Sequence, residues 1–316
     1  MDHQKLNEWL DHSTSESNQY THRLLKENLE YRETILSELK QEVQKAHEDT
    51  KHHLRQLAGF SLDPLNTPTI DVIPEGISEN IVRDPTEGYP EKLELKTLKG
   101  FFGEIFAGII AESFSHFNIA HWKVPAYPFR FHNSAYDQLE RWRQTDINPK
   151  TTPGRTGDDM LAFYQDNRGM ITHSLVCEAK CSKGHNKGLV DKAHNQASGK
   201  EPRPLDILRL IDILRDYDDS ESQNWIKALR ILFNRNIQSD YERCDLVSYI
   251  CGTAPRRSET WMQKDAPHPN YTVGRRLESV EIHLQEVDKL VRQLYGVEAH
   301  SEIDDLISEE HDDDTE

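Results

Sequence analysis

The sequence predicts a mixed α/β fold, a sheet flanked by helices over residues 98–296 with an N-terminal helical arm before it. Three observations predict it. An apolar helical pattern, LKGFFGEIFAGIIAESFSHF (98–117), precedes two strand patterns, MLAFYQ and MITHSLVCEAK, joined by the turn DNRG. Two helical patterns follow, PLDILRLIDILRDY (204–217) and NWIKALRILFNRNI (224–237). The strands DLVSYICG and LESVEIHL and a last helix, QEVDKLVRQLYG, then close the domain at Gly296.

Taken in order, residues 20–57 hold no Pro or Gly and read as one long helix in an arm spanning 1–60. Leu25, Leu29, Leu36, Leu39, Val43, Ala46 and Leu57 fall on one heptad seam, interrupted by His22, Arg32, Thr50 and His53. Such a seam either packs on its own domain or joins a second copy as a homo-oligomer through residues 20–57; both readings stand at this point. Residues 61–97 carry Pro64, Pro68, Pro74, Pro85 and Pro90 with little periodicity and read as a linker. In the 98–117 helix, Gly103, Ala107, Gly108 and Ala111 make a strip of small residues that permits close packing on a sheet. The segment NKGLVDKAHNQASG after the second strand reads as helical, and no internal repeat is present.

Composition excludes several functions. The longest apolar run, IFAGIIA, is too short for a bilayer, and the N-terminus lacks the basic-then-apolar pattern of a signal peptide, so a cytoplasmic protein without a membrane partner is expected. Cys177, Cys181, Cys244 and Cys251 then read as reduced thiols. There is no Gly-rich phosphate loop of the Walker type and no Gly-x-Ser-x-Gly elbow, which argues against a self-contained motor or an esterase. The net charge of −17 on its own argues against a nucleic-acid partner, but nine of the acids lie in residues 301–316, within a tail (297–316) expected to be disordered. Around residues 181–200 the balance reverses: Lys183, Lys187, Lys192 and Lys200 stand against Asp191 alone.

That basic neighbourhood contains the triplet Glu178-Ala179-Lys180 at the end of a strand. Alternation projects Glu178 and Lys180 from one face, while Cys177 and Ala179 face the other. Asp158 and Asp159 stand at the mouth of the preceding strand, within hairpin reach of Glu178, and Glu104 lies on the apolar helix. Three acids and a lysine on a basic surface suit a hard cation, since Mg²⁺ takes carboxylate, water and phosphate oxygens. A second constellation, Cys177, Cys181 and His185 with C-x3-C-x3-H spacing, lacks the tight Cys pairs of structural zinc.

At these residues the chain resembles the PD-(D/E)XK nuclease superfamily, with its restriction-endonuclease-like fold. The correspondence is Gly103-Glu104 on the first core helix, Asp159 in GDDML, Glu178 and Lys180 in CEAK, and Gln196 in the next helix. The resemblance implies that Asp159, Glu178 and the Ala179 carbonyl bind the catalytic Mg²⁺ (or Mn²⁺), that Lys180 assists the attacking water, and that Glu104 and Gln196 are accessory. The chain departs from the pattern in having no Pro before the Asp, and Asp158 competes with Asp159, which is preferred because it adjoins the apolar MLAF. The implied activity is a metal-dependent endonuclease acting on DNA, with Lys183, Lys187, Lys192 and Gln196 facing the nucleic acid. The implied setting is restriction or bacterial antiphage defence, beside a separately encoded helicase, ATPase or other defence subunit. The rival reading is a non-enzymatic scaffold whose coiled coil binds a partner.

Overall fold

The computed structural model describes residues 1, 3–57, 84, 86–127, 158–199, 201, 203–234 and 240–297. Most of the expected linker, and the acidic tail beyond Val297, lie outside these residues. The chain opens with helix α1 (His3–Trp9), strands β1 (Leu10–Ser17) and β2 (Tyr20–Glu27), and helix α2 (Arg32–Leu57). Helix α3 (Leu95–Ser113), strands β3 (Met160–Gln165) and β4 (Ile171–Ser182) and helix α4 (Lys187–Ala197) follow. Helices α5 (Ile207–Leu214) and α6 (Ser220–Phe233), strands β5 (Glu242–Cys251) and β6 (Leu277–His283), and helix α7 (Val287–Tyr295) complete it.

The strands form one mixed sheet in the order β1-β2-β6-β5-β4-β3. The four inner strands are parallel, and the β1/β2 and β4/β3 edge pairs are antiparallel. Parallel strands covered on both faces read as continuous runs without alternation, and every residue of β6 is buried. One face packs on α2, α3 and α7 through Ala179, Leu246, Ile282, Phe102 and Val291. The other carries α5 and α6 over Leu161, Phe163 and Val176, and α4 over Val247 and Tyr249.

The chain's own chemistry sets the element ends. Asp166 builds the predicted DNRG turn: its carboxylate accepts from Arg168 N and Met170 N at 2.9 Å each, and Gly169 takes φ +75°. Asn186 caps α4 by accepting from Leu189 N at 3.0 Å, and Asp219 caps α6 through Ser222 N at 2.8 Å. Gly296, at φ 67°, ends α7 where the sequence placed its stop.

The N-terminal arm requires correction. Residues 10–17 and 20–27 are strands of the core sheet, so the helix expected from residue 20 begins at Arg32. The seam is also spent internally: Leu25, Leu36, Leu39, Val43 and Ala46 lie in the core with α3 and α7, while Leu29 is exposed. Those five positions of the stripe that suggested a homo-oligomer through residues 20–57 are therefore covered by the chain itself. The end of the expected linker is packed as well, with Tyr89 and Leu93 buried and α3 starting at Leu95. Among the described residues no helix is long and apolar enough to cross a membrane.

Strand β6 carries two fully buried carboxylates on opposite faces. Glu281 accepts from Trp261 N at 2.7 and 3.0 Å and from Met262 N at 2.9 Å, meets His283 Nε2 at 2.6 Å, and has His22 Nε2 at the looser distance of 3.5 Å. Burial alone would raise its pKa, but these partners outweigh it and hold Glu281 down at about 2. A depressed carboxylate contributes stability that is complete above its unfolded value and is lost as pH falls through the folded one. Unfolding free energy measured by urea titration should therefore fall by about 3 kcal/mol more between pH 5 and pH 2 in the wild type than in Glu281→Gln. Parallel pH profiles would remove this role from Glu281.

Candidate active site

Hairpin register assembles the site. Met160 pairs with Cys177, so Asp159, one residue before β3, stands beside Glu178, and its N–H donates to Cys177 O at 3.1 Å. The Asp159 carboxylate turns into the hairpin, where Oδ2 accepts from Ala179 N at 2.8 Å and from Lys180 Nζ at 3.1 Å. The same ammonium donates to Glu178 Oε2 at 3.3 Å and to Ala179 O at 3.1 Å. Two carboxylates and one main-chain oxygen thus converge on a single cation. Asp159 is 2% exposed at its side chain, Glu178 7% and Lys180 14%, so the ammonium forms the outer lip of an otherwise covered group.

The two adjacent acids have different work. Asp158 accepts from Leu205 N at 2.7 Å and Asp206 N at 3.2 Å, and its own N–H donates to Asp206 Oδ2 at 2.7 Å, which pins the start of α5. Burial first, and then the charge of Asp206, push the Asp158 carboxyl up to about 6. Asp158 is tied to the scaffold, while Asp159 faces Lys180.

Glu104 reaches β4 from the other side. A Cβ at Gly103 would meet Cys181 Cβ at 3.6 Å and the Lys180 carbonyl carbon at 3.9 Å, so α3 runs close over the strand that carries the triplet. Glu104 is buried there, and its charge is felt by Cys177. Burial, followed by the charge of Glu178, pushes the Cys177 thiol well above its usual range, and burial raises Cys181 to about 12. Protonated thiols facing α3 are poor partners for His185, which lies beyond the strand end.

Of the residues expected to face nucleic acid, Lys183, Lys187 and Lys192 are exposed, and Lys187 pairs with Asp191 at 2.6 Å. Gln196 is half-buried on α4, with its Oε1 buried and without a hydrogen-bond partner among the described residues.

Sequence reasoning missed the rim beside Lys180. Tyr249 pairs with Lys180 in the β4/β5 register and shares its face of the sheet. The loop after β5 brings in Trp261 with exposed Arg256 and Arg257, and the one available signal was the arginine pair and tryptophan in APRRSETW. Gly252 lets the two loops meet: a Cβ there would lie 2.3 Å from Lys183 O, and Gly252 N donates to Ser182 O at 3.0 Å.

The donor set fits a hard cation, because the atoms around Lys180 Nζ are carboxylate and carbonyl oxygens. Among the described residues no group of three or more His, Cys, Asp or Glu side chains is arranged to hold a metal, so any ion here would rest on two carboxylates and the main chain. No protein-family model matches the chain, and no curated protein matches it.

Proposed function

We infer that the protein is a metal-dependent endonuclease of the PD-(D/E)XK type, cutting nucleic-acid phosphodiester bonds with DNA as its substrate. The observation that carries this reading is the convergence of Asp159, Glu178 and Ala179 O on Lys180 Nζ. Asp159, Glu178 and the Ala179 carbonyl would hold Mg²⁺ or Mn²⁺. A bound ion of this kind lowers the pKa of its water and stabilises charge on a phosphodiester oxygen. The chain supplies the rest. Asp159 is held by the Ala179 N–H, so its carboxylate is positioned without further ordering. Lys180 gives its Nζ hydrogens to Asp159, Glu178 and Ala179 O here, and an ion that took those oxygens would release the ammonium, at the lip of the site, to orient an attacking water and offset charge as it develops. Antiphage defence with a helicase or ATPase partner is the setting that the same resemblance supports. The scaffold alternative has less to rest on, since five of the seam positions offered for a partner, Leu25, Leu36, Leu39, Val43 and Ala46, are buried within the chain.

Supercoiled plasmid incubated with Mg²⁺ should be nicked or linearised by the wild type, and Glu178→Gln, which keeps the shape and one acceptor for Lys180, should lower the rate at least about 100-fold. Full cleavage by Glu178→Gln would sink the assignment.

A further inference from the structure

The loops that follow β4 and β5 meet in a parallel pair of rings. His185 lies on Trp261 with centroids 4.0 Å apart and planes 4° apart. Both rings are fixed. Trp261 N donates to Glu281, and its indole Nε1 donates to Thr253 O at 3.1 Å. Ser182 Oγ donates to Gly184 O at 2.7 Å, so toward Tyr249 Oη, 3.0 Å away, it accepts. The Tyr249 hydrogen is then spent on Ser182, and its oxygen accepts from Asn186 N at 2.9 Å and faces His185 Nδ1 at 3.4 Å. By elimination His185 carries its hydrogen on Nδ1 and holds one ring orientation. The pair is at the surface: His185 is exposed and Trp261 only partly covered.

A stacked pair inside a core is ordinary packing, but this one is prearranged at the rim. It is one side chain, Tyr249, away from Lys180 across the sheet. Lys183, Arg256 and Arg257 surround it with exposed cations. Flat rings beside basic side chains suit a nucleobase over a phosphate backbone, because every base has a π-face and the backbone is anionic. Paired bases in a duplex have both faces taken by their neighbours, so the ligand that fits is an unpaired base.

We propose that His185 and Trp261 form a stacking step for an unpaired base, and that the nucleic acid bound at this site is single-stranded where it passes the step. This rests on the nuclease reading and narrows its substrate.

The test is binding of a fluorescein-labelled oligothymidylate to the full chain in EDTA, read by anisotropy and by quenching of tryptophan fluorescence. The wild type should bind it, and His185→Ala should weaken binding about 5- to 150-fold. An abasic strand of equal length should show the same loss, with no further loss on His185→Ala, as expected when both changes remove one contact. Trp261→Phe, which keeps a ring, should retain most of the affinity. Equal binding of thymidylate and abasic strands, unchanged affinity in His185→Ala, equal competition by a blunt duplex, or no binding by the wild type would each overturn the proposal. Because binding is read without Mg²⁺, loss of the stacking effect with plasmid cleavage intact removes only this inference. Stacking with no cleavage removes the nuclease reading instead.

Discussion

Lys180→Ala is expected to destabilise the folded chain in metal-free buffer by about 3–5 kcal/mol, towards the lower end because the ammonium is 14% exposed. The reason is what it leaves behind. Asp159 and Glu178 are both buried, and Lys180 is the cation that they share at 3.1 and 3.3 Å. Two covered carboxylates facing one another repel, and in low dielectric that repulsion is poorly screened. Urea denaturation of wild type and variant in EDTA measures the loss, and an unchanged midpoint would mean that solvent reaches the carboxylates freely. If the oxygens around Nζ can take Mg²⁺, the variant should regain stability as Mg²⁺ is added, by the mass-action term of any ligand that binds only the folded state.

Arg23→Ala should cost about as much, about 3–5 kcal/mol, far from the site. Glu278 has no solvent exposure and relies on Arg23 Nε at 2.7 Å and His116 Nδ1 at 2.9 Å. Burial pushes the Glu278 carboxyl upward, yet His116 and Arg23 outweigh it and keep it below its usual range. Arg23 also donates to Ser115 O at 2.8 Å and covers the Phe114 ring, its guanidinium 5.1 Å from the centroid, so truncation removes packing too. The paired replacement Arg23→Met with Glu278→Leu should cost clearly less than Arg23→Ala, because no buried charge is then stranded. Equal losses in thermal or urea unfolding would show that the packing, not the ion pair, carries the effect.

The parts of this fold with simple signals were legible in the sequence. The hairpin of β3 and β4 announces itself through DNRG, β5 through the apolar residues of DLVSYIC, and β6 through the β-branched Val280 and Ile282 in a segment too short for a helix. The N-terminal hairpin was hidden for a physical reason. In YTHRLLKE, His22 and Arg23 are buried on opposite faces because carboxylates from β6 meet them, so the strand shows no alternation of apolar and polar residues. Asn18, at φ 52°, marks its turn, a left-handed position that Asn tolerates, but the heptad that follows masks it. At the site, Asp159, Glu178 and Lys180 could be selected because strand alternation and hairpin register are local rules. Tyr249 and Trp261 depend on which strand lies beside β4 and on how a long loop returns, and no local pattern encodes either.

The position of β2 beside β6 bears on how the molecule is made. Arg23 and Glu278 are 255 residues apart in sequence, yet their strands are neighbours in register. The hairpin of β1 and β2 therefore leaves the ribosome well before β6, the strand that pairs with β2 on its other side. Such distant pairing raises contact order and slows folding. Until β6 emerges, β2 presents an unpaired backbone edge, the kind of surface on which incomplete chains aggregate. The sheet closes late, and the two ends of the described chain close it together.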